Sequence, residues 1–209
     1  MSEYVVHLTD RVAVQSIFRS NTIEARTRTG VVRLLEGISD SQLSVCLSEI
    51  PIGHLNRLTR RGSYGIGFLK GFVEAESGQM VTYLPKGSPA AERFQRLVRE
   101  AMADRVQPGN RINPENPLWS ITQFVDNPGA YGDTRYEFEW EREWRVPHHL
   151  TFDAVDVALL LAPEEDHDWV RQSAWVGDTR SAYQGLVLDP RWDIGRVQHA
   201  LITSDRSSA

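Results

Sequence analysis

Charged side chains are concentrated in the segment from Tyr136 to Pro147, which reads YEFEWEREWRVP. Successive side chains of a strand point to opposite faces, so a strand here would place Glu139, Glu141, Glu143 and Arg145 on one face. Aligned carboxylates repel one another unless cations or a ligand compensate them. Two interpretations follow. The face is either a cleft floor on which Glu141 and Glu143 meet a polar substrate, or a solvated surface on which Arg145 pairs with a neighbouring carboxylate.

A histidine in a short apolar stretch near the N-terminus is the second candidate. In the sequence VVHLT, His7 and Thr9 share one face of a strand, and Val6 and Leu8 share the other. An imidazole beside a hydroxyl can orient a ligand through hydrogen bonds. The alternative is a core histidine whose hydrogen bonds are satisfied within the protein.

The segment VCLSEIP, residues 45–51, brings Cys46 and Ser48 to one face near the end of a predicted strand. Ser48 either faces a ligand there or, like Glu49, caps the helix predicted to follow. No histidine stands at an informative spacing from Cys46, so we expect a small buried residue rather than a nucleophile.

Three arginines, Arg57, Arg60 and Arg61, precede the glycine-rich sequence GSYGIG. Arginine binds phosphate bidentately, and glycines let backbone amides approach an anion. The glycine spacing is not that of a dinucleotide-binding or Walker loop. A pyrophosphate site and a solvated basic helix both fit this pattern.

Composition narrows the class of protein. The chain has 209 residues, a net charge of −5, 41% hydrophobic residues and one cysteine. These values are typical of a globular protein, and they exclude a cysteine-based zinc cluster. The longest apolar run is about six residues, whereas a membrane-spanning helix needs ~20. We expect a cytoplasmic protein that binds no membrane, no metal and no phosphate backbone in a general way.

The elements that must position these residues are short strands and a few helices. The predicted strands are residues 4–8, 43–47, 155–161 and 136–146, the last of which allows a bulge, with a hairpin formed by 65–73 and 80–84. The predicted helices are residues 11–20, 51–61, 89–104 and 164–173, and a last one runs from 190 towards 202. Without regular strand–helix alternation, this order indicates an α+β fold. We expect a single domain over residues 1–209, with 203–209 as a flexible tail.

Four segments together resemble the AbiGi family of abortive phage-resistance proteins. They are VCLSEIP (45–51), YGIGFLK (64–70), VTY (81–83) and EREWRV (141–146), and the likeness covers residues 4–147. Some members of that family are antitoxins. The resemblance therefore implies a role in phage defence and leaves open whether the chain is a toxin or an antitoxin.

The same segments resemble the three-part signature of ADP-ribosyltransferases, including the DNA-modifying DarT type and the histidine-bearing branch. This resemblance implies a split, bent β core flanked by helices. It places His7 at the first position, Ser48 or Tyr64 at the second, and Glu143 of the Glu141-x-Glu143 pair at the third. The usual serine-threonine-serine run is CLS in this chain, so the second position stays open between Ser48 and Tyr64.

The resemblance also implies NAD as the substrate, with no metal. Glu143 would stabilise the positive charge that builds on ribose as nicotinamide leaves, and Glu141 would orient or activate the acceptor. The other implied contacts to NAD are His7 at the ribose hydroxyls, Tyr64 or Tyr83 on nicotinamide, and Arg57, Arg60 or Arg145 at the pyrophosphate. Thr9, on the face of His7, and Ser48, a candidate for the second position, are further binding residues.

The acceptor implied by the resemblance is a protein, DNA or RNA. Two other functions fit the same residues. One is a catalytically silent component that binds a cognate toxin, an antitoxin or a nucleotide. The other is an NAD glycohydrolase, in which water is the acceptor.

Overall fold

The structure is a computed structural model that describes residues 3–49, 62–131, 133–136, 142–174 and 182–207. The strands are β1 (Tyr4–Thr9), β2 (Thr22–Ile23), β3 (Thr27–Arg28), β4 (Leu43–Glu49), β5 (Tyr64–Leu69), β6 (Gln79–Met80), β7 (Thr82–Tyr83), β8 (Arg105–Val106), β9 (Arg111–Ile112), β10 (Val125–Asp126), β11 (Gly129–Tyr131), β12 (Thr134–Tyr136), β13 (Glu143–Pro147), β14 (Leu150–Thr151), β15 (Val157–Leu161) and β16 (Leu186–Leu188). The helices are α1 (Arg11–Ser20), α2 (Lys70–Ala75), α3 (Pro89–Ala103), α4 (Trp119–Thr122), α5 (His167–Ser173) and α6 (Ile194–Ser207).

The chain forms two compact units, each built from separate stretches of sequence. The first unit comprises Met1–Ile23, Leu47–Glu76 and Leu150–Ala209, and the second comprises Glu24–Cys46 and Ser77–His149. Strand β4 contributes its last three residues to the first unit and its first four to the second.

The first unit contains a mixed sheet. Its strand order is β16-β15-β5-β1, followed by the end of β4. β15 and β16 are parallel, and the other pairs are antiparallel. One face of this sheet carries an apolar cluster that includes Val6, Leu161 and Val197 of α6. Helix α1 begins after Asp10, whose carboxylate accepts a hydrogen bond from the Ala13 N–H at 2.8 Å, as an N-cap residue does.

The second unit contains the start of β4, which pairs with β3 and neighbours β13, and β13 pairs with β6. β7 and β10 form a short parallel pair, whereas β8–β9 and β11–β12 are antiparallel. Helix α3 begins at Pro89 after Ser88, whose hydroxyl accepts a hydrogen bond from the Ala91 N–H. Buried Val32, Ile38 and Trp119 form the apolar cluster against which α3 packs through Ala101.

The predicted α+β class is confirmed, since the structure contains a mixed sheet and several helices. Helices 11–20 and 89–104 and strands 4–8 and 155–161 are confirmed to within two residues. The predicted helix 51–61 lies outside the described residues. Helix α6 continues to Ser207, through most of the segment predicted to be a flexible tail.

The predicted hairpin of residues 65–73 and 80–84 is wrong. After Leu69 the chain enters α2, which buries Val73 completely. β5 pairs with β1 and β15, while β6 pairs with β13 and β7 with β10. The β-forming residues in both segments predicted the strands, but their partners come from distant parts of the chain.

The strand predicted over residues 136–146 is interrupted just before Glu143, and residues 137–141 lie outside the described part of the chain. β12 ends at Tyr136 and β13 begins at Glu143. Arg142, immediately before β13, has a φ of 45°, a left-handed conformation that occurs at bulges and turns but not in a regular strand. The alternation of side chains therefore holds from Glu143 onwards and does not extend back across Arg142.

None of the helices in the described part of the chain has the length and apolar character needed to cross a membrane.

Candidate active site

The carboxylate of Glu143 lies at the first position of β13 and is held by Arg145, two residues further on. The Arg145 Nε donates to Oε1 of Glu143 at 3.0 Å, and Nη2 donates to Oε2 at 2.9 Å. Such bidentate pairs are the strongest that a carboxylate makes with a side chain. The Glu143 side chain is 16% exposed and that of Arg145 is 3% exposed. The arginine is thus an internal anchor, and the carboxylate retains limited access to solvent.

Two further acceptors complete the surroundings of the Arg145 guanidinium. Nη2 donates to the buried carboxylate of Asp126, and Nη1 donates to the backbone carbonyl of Gln123. Burial lowers the pKa of Arg145, but hydrogen bonds and charge from Glu143 and then Asp126 raise it by more, so the group is held in its charged form. We call Glu143, Arg145, Asp126 and the Gln123 carbonyl the Glu143 cluster.

Cys46 and Tyr83 face Glu143 as neutral groups. Burial, followed by the charge of Glu143 and a hydrogen bond to it, raises the pKa of the Cys46 thiol to about 12. Burial and the charge of Glu143 also raise the pKa of Tyr83. Both side chains keep their protons at neutral pH. Cys46 is therefore a poor nucleophile, because the thiolate is the reactive form.

The interpretation of this strand face as a solvated surface is wrong for Glu143 and Arg145. The expected pairing of Arg145 with a neighbouring carboxylate is present, but the arginine is buried. Trp144 and Val146, on the opposite face of β13, are buried as well. Because both faces of β13 are covered, water contributes little to stabilising the charges of Glu143 and Arg145. These charges are therefore stabilised mainly by their pairing.

In the first unit, strand register determines which predicted residues share a face. Directly opposite residues of paired strands point to the same side of a sheet. His7 is opposite Ile66 and Thr9 is opposite Tyr64, so His7, Thr9 and Tyr64 share one face. Ser48 is opposite Val6, whose side chain points the other way from that of His7. Of the two alternatives for the second position, Tyr64 lies on the face of His7 and buried Ser48 does not.

Tyr64 is anchored by three residues that sequence reasoning missed. Its hydroxyl donates to Asp166, and its ring meets Trp169 edge to face at 6.0 Å. Arg11 pairs with Asp166 at 3.2 Å and stacks over the Trp169 ring at 4.3 Å. Burial and the hydrogen bond to Asp166 raise the pKa of Tyr64 to about 12. We call these four residues the Tyr64 cluster; Tyr64 itself is only 8% exposed.

The structure distributes the predicted residues over the two units. Glu143, Arg145 and Tyr83 belong to the second unit, and His7, Thr9, Ser48 and Tyr64 belong to the first. Glu141 and Arg57 lie outside the described residues, as does Arg60. Within the described ranges, no group of three or more histidine, cysteine, aspartate and glutamate side chains is placed to hold a metal ion.

Asp126 and Gln123 are the other residues that sequence reasoning missed. Gln123 is itself fixed, because its side-chain oxygen accepts a hydrogen bond from the Ser44 hydroxyl at 3.2 Å, and Ser44 contacts the Thr29 hydroxyl at 3.0 Å. A single buried aspartate after a Phe-Val pair carries no periodic signal. Only the pairing of β7 with β10 brings it beside Tyr83.

The arrangement can hold a carboxylate in one orientation beside neutral hydrogen-bond donors, which suits the stabilisation of a positively charged reaction centre. Comparison of the chain with known protein families, with curated proteins and with solved structures found no match in any of the three.

Proposed function

We propose that this chain is an NAD-dependent ADP-ribosyltransferase that acts as a toxin or effector in bacterial phage defence. The observation that carries the proposal is the geometry of Glu143 at the start of β13. Its carboxylate is fixed by two hydrogen bonds, from Nε and Nη2 of the buried Arg145. Pre-oriented charge is the main means by which enzymes stabilise a charged transition state, because no reorganisation is needed during the reaction. The likeness of EREWRV to the third transferase motif supports the same role.

The proposed reaction breaks the bond between nicotinamide and ribose C1′. Nicotinamide leaves with the bonding electron pair, and positive charge develops over C1′ and the ring oxygen. Glu143 accepts a hydrogen bond from the ribose 2′-hydroxyl and stabilises that charge. A nucleophile of the acceptor then forms the new bond to C1′ and loses its proton, for which the resemblance assigns Glu141 as the base.

The register of the first unit bears on which residue takes the second position of the transferase signature. His7 and Thr9 share a strand face with Tyr64, which favours Tyr64 over Ser48 as the residue at the second position. The Tyr64 hydroxyl already donates to Asp166. Its contribution to NAD binding would therefore come from the ring.

The test is incubation of the protein with NAD labelled on the adenylate phosphate, in cell extract, with nicotinamide release measured in parallel. We expect label transfer by the wild type and a loss of about a hundredfold or more in Glu143→Gln, which keeps the size of the side chain. Glu100→Gln, an exposed position on α3, is the matched control and should be fully active. Absence of both label transfer and nicotinamide release from the wild type would overturn the proposal.

One observation favours a second candidate, a catalytically silent binding component. Both oxygens of Glu143 already accept hydrogen bonds from Arg145, an arrangement that also serves as a purely structural ion pair. Such a protein would be harmless when overexpressed and would protect cells from a co-expressed partner toxin. Retained protection in a His7→Ala, Glu143→Ala double variant supports this candidate over the enzyme, and toxicity of the overexpressed wild type excludes it.

A further inference from the structure

Asp126 is a buried acidic residue outside every motif of the sequence. It ends β10, and its side chain is 3% exposed. One carboxylate oxygen accepts from Nη2 of Arg145, and the other is 3.8 Å from Nη1 of Arg33. Arg33 is 45% exposed, so water and salt screen its charge far more than that of Arg145.

The charges of the Glu143 cluster do not cancel. Glu143 and Arg145 alone would form a neutral pair, whose attraction for a cation falls off steeply with distance. Asp126 adds a second carboxylate to the same guanidinium, so the three side chains together carry a net charge of −1. The third acceptor, the Gln123 carbonyl, is uncharged. Cys46 and Tyr83 also leave the balance unchanged, because both stay protonated.

We infer that Asp126 is a positioning residue that acts on Glu143 through Arg145. By sharing the guanidinium, it fixes the plane of Arg145 and leaves the three side chains with a net negative charge beside Glu143. This negative charge is what an oxocarbenium-like ribose requires. The inference rests on the proposed function for its substrate, but the charge balance itself is a property of the described side chains.

The test compares two small probes that differ in charge. The protonated imino-ribitol mimics the cationic ribose, and the neutral anhydro-ribitol has the same ring without the charge. We expect the wild type to bind the cationic probe at least about tenfold more tightly, since a net negative charge in a partly buried site attracts it. Equal affinities for the two probes in the wild type would overturn the inference without the need for any variant.

Asp126→Asn keeps the shape and one acceptor oxygen but makes the cluster neutral. We expect the preference for the cationic probe to fall about tenfold and kcat for nicotinamide release to fall by a similar factor, with KM for NAD within about twofold of wild type. Asp126→Glu restores the charge and should recover the preference. Asp40→Asn, at an exposed position of the second unit, is the matched control.

The outcomes separate this inference from the proposed function. Cleavage of NAD with equal kcat in wild type and Asp126→Asn overturns the role of Asp126 and does not contradict the proposed transferase function. A wild type that releases no nicotinamide, yet prefers the cationic probe in a manner that depends on Asp126, overturns the transferase and supports the charge balance. A purely structural role for Asp126 would weaken the binding of both probes equally.

Discussion

Two clusters in this chain pair an arginine with an aspartate beside a tyrosine, and they differ chiefly in burial. In the Glu143 cluster, the side chains of Arg145 and Asp126 are each 3% exposed. In the Tyr64 cluster, Arg11 is 53% exposed and Asp166 is 20% exposed. Removing one partner from a buried pair leaves an uncompensated charge, whereas water replaces the lost partner at the surface. The same residue types therefore carry different energetic weight in the two units.

The largest effect is expected from Arg145→Leu, which leaves the buried Asp126 carboxylate with only the half-exposed Arg33 as a nearby cation. We predict a loss of about 3–5 kcal/mol in the free energy of unfolding, measured by urea denaturation. Arg28→Leu breaks an exposed pair with Asp40 and should cost less than about 1 kcal/mol. Equal losses in the two variants would remove the contrast between buried and exposed pairs.

A smaller, pH-dependent effect is expected from Tyr64. Its pKa is raised to about 12, so the folded state binds the phenolic proton more tightly than the unfolded state, whose pKa is ~10. The resulting stability is fully present below pH ~10 and is lost as the pH rises from ~10 towards 12. We predict that Tyr64→Phe flattens the decline in the free energy of unfolding between pH 9.5 and 11.5, in urea titrations at stepped pH. An unchanged slope would show that the hydroxyl contributes nothing to this decline.

The smallest effect is expected from Arg11→Ala. It removes one half-exposed ion pair and one cation–π contact with Trp169, and we predict a loss of about 1 kcal/mol. Thermal unfolding at low and high salt checks this value. A loss comparable to that of Arg145→Leu would mean that burial does not govern the difference between the clusters.

Local signals in the sequence predicted the elements that depend on local physics. The cap at Asp10 and the cap at Ser88 marked the starts of α1 and α3, and the apolar run VALLL marked β15. The pairing of Glu143 with Arg145 was also foreseeable, because alternate residues of a strand share a face.

The rest of the site depends on partners that are distant in sequence. Asp126 meets Arg145 across 19 residues, and Asp166 meets Tyr64 across 102. That Ser48 and His7 lie on opposite faces follows from the register of β1 against β4. Register depends on the patterns of both strands and on the connection between them, so one strand alone does not give it. The missing hairpin has the same cause. β5 pairs with β1 and β15, which are distant in sequence, and the chain continues into α2.

The two residues that flank β13 have a consequence for how reliably the strand is aligned. Arg142 and His148 both adopt positive φ values, of 45° and 66°. These two residues therefore end the five-residue strand on either side. Sliding by a single position would require these two bends to move and would swap the inward and outward sets of side chains. Trp144 would then stand where the guanidinium belongs. The two bends therefore fix the register of β13, and lengthening the strand at either end should make that register less well defined.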